Sequence, residues 1–185
     1  MAKQKGNVVT YGLSGKIGDL LVFRQRDGKT IVSKIPKAPK TESENQKKHR
    51  KRFQQAVIYA KAATSTPEGK ALYGAAKKCR TPFNTAVSDF FNTPKIENID
   101  LYAYTGTVGD KIRIMATDDF AVKSVHVQIN NADGSLVEEG EAVPDVTGQL
   151  WTYTTTQNND NLNGDKIVVS ACDHPGNITK EEQIL

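Results

Sequence analysis

From Ile96 to the C-terminus the chain is cut by turn residues into short runs at strand spacing, and this texture constrains the fold more than any other feature. The runs are 96–104, 111–117, 122–130, 135–143, 150–157, 166–172 and 178–184, with turns at Gly109-Asp110, Asp133-Gly134 and Asn163-Gly164. The third, "VKSVHVQI", puts Val122, Val125, Val127 and Ile129 at its apolar positions after one early irregularity. Seven such strands in about 90 residues predict an antiparallel β-sandwich. Trp151, in "LWTYTTT", is expected in its core.

The first half has a different texture and a different charge. Residues 1–95 hold 20 Lys+Arg and 6 Asp+Glu, whereas residues 96–185 hold 5 and 15, so the halves carry +14 and −10. That asymmetry predicts two modules, 1–94 basic and 95–185 acidic, in a chain whose 37% hydrophobic content supports a modest core. The expected fold class is α+β: an N-terminal β-hairpin with helices, then the seven-stranded sandwich.

The hairpin is read from "DLLVFRQR" and "KTIVSKIP" on either side of Asp27-Gly28, a dipeptide suited to a type I′ turn. That turn sets Arg26 opposite Lys29, Arg24 opposite Ile31 and Leu20 opposite Ile35, with Arg24, Arg26 and Lys29 at a solvated tip. Pro36 and Pro39 break the chain. Thr41 and Glu44 then form a capping box that opens a helix to about Ala63. At 100° per residue His49, Phe53, Ala56, Val57 and Ala60 share an inward stripe, while Lys47, Lys48, Lys51 and Arg52 fall on the opposite arc. Ile58 and Tyr59 point to that far side, so the end of the helix is expected to touch another element or a partner.

Thr66-Pro67 and Thr81-Pro82 open two shorter helices, each with a Thr cap and Pro at the first helical position. Their expected core stripes are Leu72, Ala75, Ala76 and Cys79, and Phe83, Ala86, Val87 and Phe90. "NTPK" (92–95) reads as the hinge between modules.

The residues of the second half carry a resemblance. "IRIMATDD", "VKSVHVQI" and above all "VVSACDHPGN" (168–177) resemble bacterial immunoglobulin-like or fibronectin-like modules, whose sixth strand often ends in an A-x-D-x-x-G-N turn. The resemblance implies an immunoglobulin-like sandwich and no particular ligand. The first half resembles small leaderless bacterial proteins with a hairpin, here "SGKIGDLLVFRQRDGKTIVSKIP", followed by a T-x(4)-Q-type helix, here "TESENQKKHRKRFQQAV". The combination resembles proteins associated with phages and phage-tail-like contractile injection systems, including candidate cargo.

Candidate chemistry is sparse. His49, His126 and His174 have no carboxylate or cysteine at triad or zinc spacing. "GLSGKIG" (12–18) lacks the gap and the final Ser/Thr of a phosphate loop, and reads as a flexible turn before the hairpin. Cys79 and Cys172 read as reduced, mostly buried thiols. Asp118, Asp119 and Asp173 lie at strand ends and could hold calcium if those ends converge. No Asp-rich loop supplies the six or more oxygens calcium takes, so Asp173 is expected to cap its own turn and Asp118 and Asp119 to be solvated. No cofactor, metal or enzyme activity is assigned.

The N-terminus has no apolar run of signal-peptide length and no segment approaches a membrane span, so synthesis in the cytoplasm, with packaging in a particle, is expected. The sequence therefore predicts a non-enzymatic component or cargo of a phage-like particle. Its basic arc, Lys47, Lys48, Arg50, Lys51 and Arg52 with Arg24, Arg26 and Lys29, would dock on an acidic protein surface such as a tube lumen or sheath. The alternative is a nucleic-acid binder using the same cations. Against both stands a solvated helix face neutralised by the acidic half.

Overall fold

The computed structural model describes residues 2–4, 10–26, 28–35, 41–75 and 80–185. Among these the chain is α+β, with three helices and three antiparallel four-stranded sheets. It divides into two compact units, Met1–Lys47 and Lys48–Leu185.

The first unit holds β1 (Ala2–Gln4), β2 (Gly15–Ile17), β3 (Leu21–Arg26) and β4 (Lys29–Lys34) in the order β1-β4-β3-β2. Arg26 pairs with Lys29 and Arg24 with Ile31, as the turn predicts. Gly28 takes the positive φ of 71° that the turn requires, while Asp27 lies outside the described residues, as do Pro36 and Pro39. The ladder begins at Leu21 opposite Lys34, and Leu20 is left 76% exposed. Among the described residues of this sheet Phe23 and Thr30 are buried. "GLSGKIG" is more than a flexible turn, because its residues 15–17 form β2 and set Gly15 opposite Phe23. The positive φ of Gly12 (77°) and Gly18 (54°) lets the backbone turn on either side of that edge strand.

Helix α1 (Glu44–Ala63) is capped two residues later than the sequence predicts. The Ser43 hydroxyl accepts from the Gln46 N–H (3.3 Å) and the Gln46 amide oxygen accepts from the Ser43 N–H (2.9 Å). Ser43-x-x-Gln46 satisfies the same reciprocal pattern as Thr41-x-x-Glu44, and sequence spacing cannot choose between them. Helices α2 (Pro67–Gly74) and α3 (Pro82–Phe91) start where predicted, with the Thr66 and Thr81 hydroxyls accepting from the N–H groups of Gly69 and Asn84.

Two sheets follow. β5 (Lys95–Asp100), β6 (Lys111–Thr117), β10 (Leu150–Thr154) and β9 (Val143–Pro144) are ordered β5-β6-β10-β9. β7 (Val122–Asn130), β8 (Leu136–Glu141), β11 (Lys166–Asp173) and β12 (Ile178–Ile184) are ordered β12-β11-β7-β8. Their alternating inward residues meet in one apolar cluster. Ile112, Ile114, Trp151 and Tyr153 come from one sheet, and Val125, Val127, Ile129, Ile167 and Val169 from the other, so the architecture is sandwich-like. Each predicted run contains a strand: 111–117, 122–130, 166–172 and 178–184 match to within one residue, whereas the first and fifth strands end earlier than expected, at Asp100 and Thr154. The chain forms eight strands instead of seven because the fourth run breaks at Ala142 and continues as the two-residue β9. Among the described residues no helix is long and apolar enough to cross a membrane.

The helices pack with the strands. Tyr73 of α2 stacks on Phe120, between β6 and β7, at 4.6 Å. The Asn177 amide donates to the carbonyls of Asn92 (3.0 Å) and Phe90 (3.4 Å), and the Thr179 hydroxyl donates to the Pro94 carbonyl. Residues 92–95 are thus tied to the sheet edge, and the compact units divide between Lys47 and Lys48, while charge changes sign near residue 95. Composition sums charge along the chain, whereas a unit is set by which surfaces bury each other.

Ile114 is fully buried, while Phe53 is 48% exposed and only stacks on Phe91 at 6.3 Å. In denaturant unfolding, Ile114→Ala is expected to cost about 2–5 kcal/mol. Phe53→Ala is expected to cost only about 1 kcal/mol, the worth of one aromatic pair and partial burial.

Candidate functional site

Arg24, Arg26 and Lys29 are exposed at the hairpin tip of the first unit, and Lys47, at its end, bridges Glu44 at 2.8 Å. Lys48, Arg50, Lys51 and Arg52 are exposed residues of the second unit. Arg52 departs from the outward arc: its guanidinium lies over the Phe91 ring, 5.3 Å from the centroid, and donates to the Phe91 carbonyl at 3.4 Å. His49 stacks on the same ring at 5.9 Å. The inward stripe is correct for Ala56 and Ala60, both fully buried, but its N-terminal half covers little, since every residue from Glu44 to Gln55 is exposed. Tyr59 finds its neighbours in Phe90 (5.8 Å) and Tyr73, while Ile58 stays 68% exposed.

A second constellation is largely buried. Asp89 of α3, Asp118 just after β6 and Asp173 at the end of β11 converge, with one oxygen from each within 4.8 Å of the others. Tyr73, 2% exposed, reaches the cluster: its hydroxyl donates to Asp89 Oδ2 at 2.8 Å and meets the Tyr59 hydroxyl at 2.6 Å. Asp173 caps its turn as expected, with Oδ1 accepting from the N–H groups of Gly176 (2.8 Å) and Asn177 (2.6 Å), and Oδ2 from the Asn177 amide (2.7 Å). His174 closes the periphery with its ring 5.6 Å from Phe120, and burial holds its pKa below the usual value.

Asp118 is not solvated. Both its oxygens are buried with no hydrogen-bond partner, and so is Asp89 Oδ1. Burial pushes the Asp89 carboxyl up to about 7, opposed by the Tyr73 hydrogen bond and reinforced by Asp118 and Asp173. Burial also raises Asp118, helped by Asp173; the backbone N–H groups of Asp119, Phe120 and Ala121 favour its charged form without reaching bonding geometry. Asp119 faces elsewhere, its Oδ2 accepting from Ser88 (3.1 Å) and Asn92 (3.3 Å) and lying 3.7 Å from Arg80.

Sequence reasoning names Asp118 and Asp173 but misses Asp89 and Tyr73. A signal for Asp89 exists: it is the one charged residue of "PFNTAVSDFF" and lies on the stripe between Ala86 and Phe90. Tyr73 is missed because Leu72 looks like the better core residue, yet Leu72 is 44% exposed. Ala76 and Cys79, expected on the same stripe, lie outside the described residues, and Cys172 is a half-buried free thiol. Comparison with known proteins finds no matching family model, curated protein or solved structure.

A carboxyl whose folded pKa lies above its unfolded value contributes stability below the unfolded pKa and loses it as pH rises through the folded one. In buffer free of divalent cations, the melting temperature of the wild type relative to Asp89→Asn should therefore fall between pH 4 and pH 8, most steeply midway between the unfolded and folded values and levelling off above about 7. Calorimetry of both proteins across that range checks the sign.

Proposed function

We propose that this protein is a non-enzymatic component or packaged cargo of a phage-tail-like contractile injection system or related particle, docking on an acidic protein surface through its basic N-terminal region. The observation that carries this reading is the exposure of α1 from Glu44 to Gln55, with Lys47, Lys48, Arg50 and Lys51 beside a half-exposed Phe53. A helix of this length ordinarily covers an apolar stripe along its whole run. Cations interleaved with aromatic surface suit a docking face better than a solvated one.

An immunoglobulin-like identity for the sandwich is part of the proposal. Its support is the strand order: β5-β6-β10-β9 corresponds to A-B-E-D, and β12-β11-β7-β8 to G-F-C with one added C′ strand. Trp151, 4% exposed, sits in the shared core between the sheets. The nucleic-acid alternative uses the same cations. It is disfavoured by the balance of the second unit, where residues 48–185 hold 15 Lys+Arg against 17 Asp+Glu.

The combined variant Lys47→Gln, Lys48→Gln, Arg50→Gln and Lys51→Gln should melt within a few degrees of wild type yet bind immobilised polyglutamate at least about tenfold more weakly. Micromolar binding to random duplex DNA that collapses between low and moderate salt would move the reading to nucleic acid. Mass spectrometry of particles purified from the source cells should find the chain, and its absence would remove the particle assignment.

A further inference from the structure

We propose that Asp89, Asp118 and Asp173 bind one hard divalent cation, calcium by class, that clasps α3 to the loops at one end of the sandwich. This inference stands independently of the docking function.

The contrast with the other buried carboxylates motivates it. Glu138 accepts from the Tyr153 hydroxyl (3.0 Å) and from the N–H (2.7 Å) and hydroxyl (2.8 Å) of Thr156. Asp165 accepts from the Asn159 amide at 2.6 Å. Folded proteins satisfy buried polar atoms in this way almost without exception. Asp89 is 0% exposed and contributes an oxygen to the cluster, yet its Oδ1 has no partner, and both buried oxygens of Asp118 lack partners as well. Among the described residues no lysine or arginine bridges any of the three. Three neighbouring carboxylates without a counter-charge are costly to bury, and a cation removes both the repulsion and the missing contacts.

The oxygens left over are the right ones. The Tyr73 hydroxyl occupies Asp89 Oδ2, which orients the carboxylate and leaves Oδ1 for an ion, the usual work of a supporting hydrogen bond. Asp173 Oδ1 already accepts two N–H groups, but Oδ2 accepts one and keeps a lone pair. Carboxylate oxygens select hard cations over thiolate-loving ones. An equilateral triangle with sides at the 4.8 Å limit has corners about 2.8 Å from its centre, so calcium bonds of about 2.3–2.6 Å form with shifts of a few tenths of an ångström. Magnesium, at about 2.1 Å, would demand roughly twice the contraction. Asp118 also lines a cleft of about 500 Å³ with Glu97, Asp119 and Lys95.

The test uses the full chain, stripped with chelator and titrated with calcium chloride at pH 7.5 by calorimetry and thermal melting. One ion per chain and a melting temperature that rises to saturation are expected, since the ion binds only the folded state. Asp118→Asn and Asp89→Asn should each weaken calcium at least tenfold. Asp119→Asn, whose side chain faces Ser88 and Asn92, should leave it within twofold. Should Asp89→Asn fail to fold, Asp118→Asn alone decides. A melting temperature indifferent to calcium, magnesium and manganese would overturn the inference, and with a higher melting temperature of Asp89→Asn at pH 8 it would show that a shared proton holds the cluster together. Equal loss of binding in Asp119→Asn would overturn the ligand set.

Discussion

The second unit depends on one buried side chain, Tyr73. Its ring lies against Phe120, in the loop between the two sheets, and its hydroxyl joins Tyr59 of α1 to Asp89 of α3. Three helices and the sandwich therefore share one residue whose apolar face and polar tip are both used. Such a phenol is held on two sides: its ring gains by burial, and its hydroxyl must find partners or pay the desolvation cost. Burial and the hydrogen bonds to Tyr59 and Asp89 raise its pKa well above that of a free phenol, so it remains a donor to Asp89.

Charge acquires a different meaning once the units are drawn. Split by composition, the chain opposes +14 to −10; split where it packs, residues 1–47 hold 10 Lys+Arg and 4 Asp+Glu, and residues 48–185 hold 15 and 17. Most of the asymmetry is therefore internal to the second unit, where basic helices share a compact body with acidic strands. Local contacts soften it further, as with Arg80 near Asp119 and Arg52 on Phe91. At the buried centre the sign reverses and three carboxylates gather, because packing brings together residues that lie 29 and 55 positions apart in the sequence (89, 118 and 173).

How much was legible follows from the range of the interactions involved. Most strand limits from Ile96 onward were readable because period-two alternation and turn residues act over a few positions, and the burial of Val125, Val127 and Ile129 agrees with it. The Thr66 and Thr81 caps were readable for the same reason. Phe53 was not, since its periodicity marks the correct face of α1 while nothing local tells how far Phe91 covers it. Asp89 was hidden by the rule that a charge on a short helix faces water.

The sequence by itself determined the elements: a basic hairpin, three capped helices and a train of short strands, each specified by neighbours within one turn or one alternation. Tertiary structure decided the partnerships. It joined α2 and α3 to the sandwich through Tyr73, Asn177 and Thr179, divided the chain at Lys47, and aimed Asp89, Asp118 and Asp173 at one point. Burial of apolar surface is non-directional, so many pairings of these elements satisfy it. Only the full set of contacts selects the one that leaves three carboxylates facing one another.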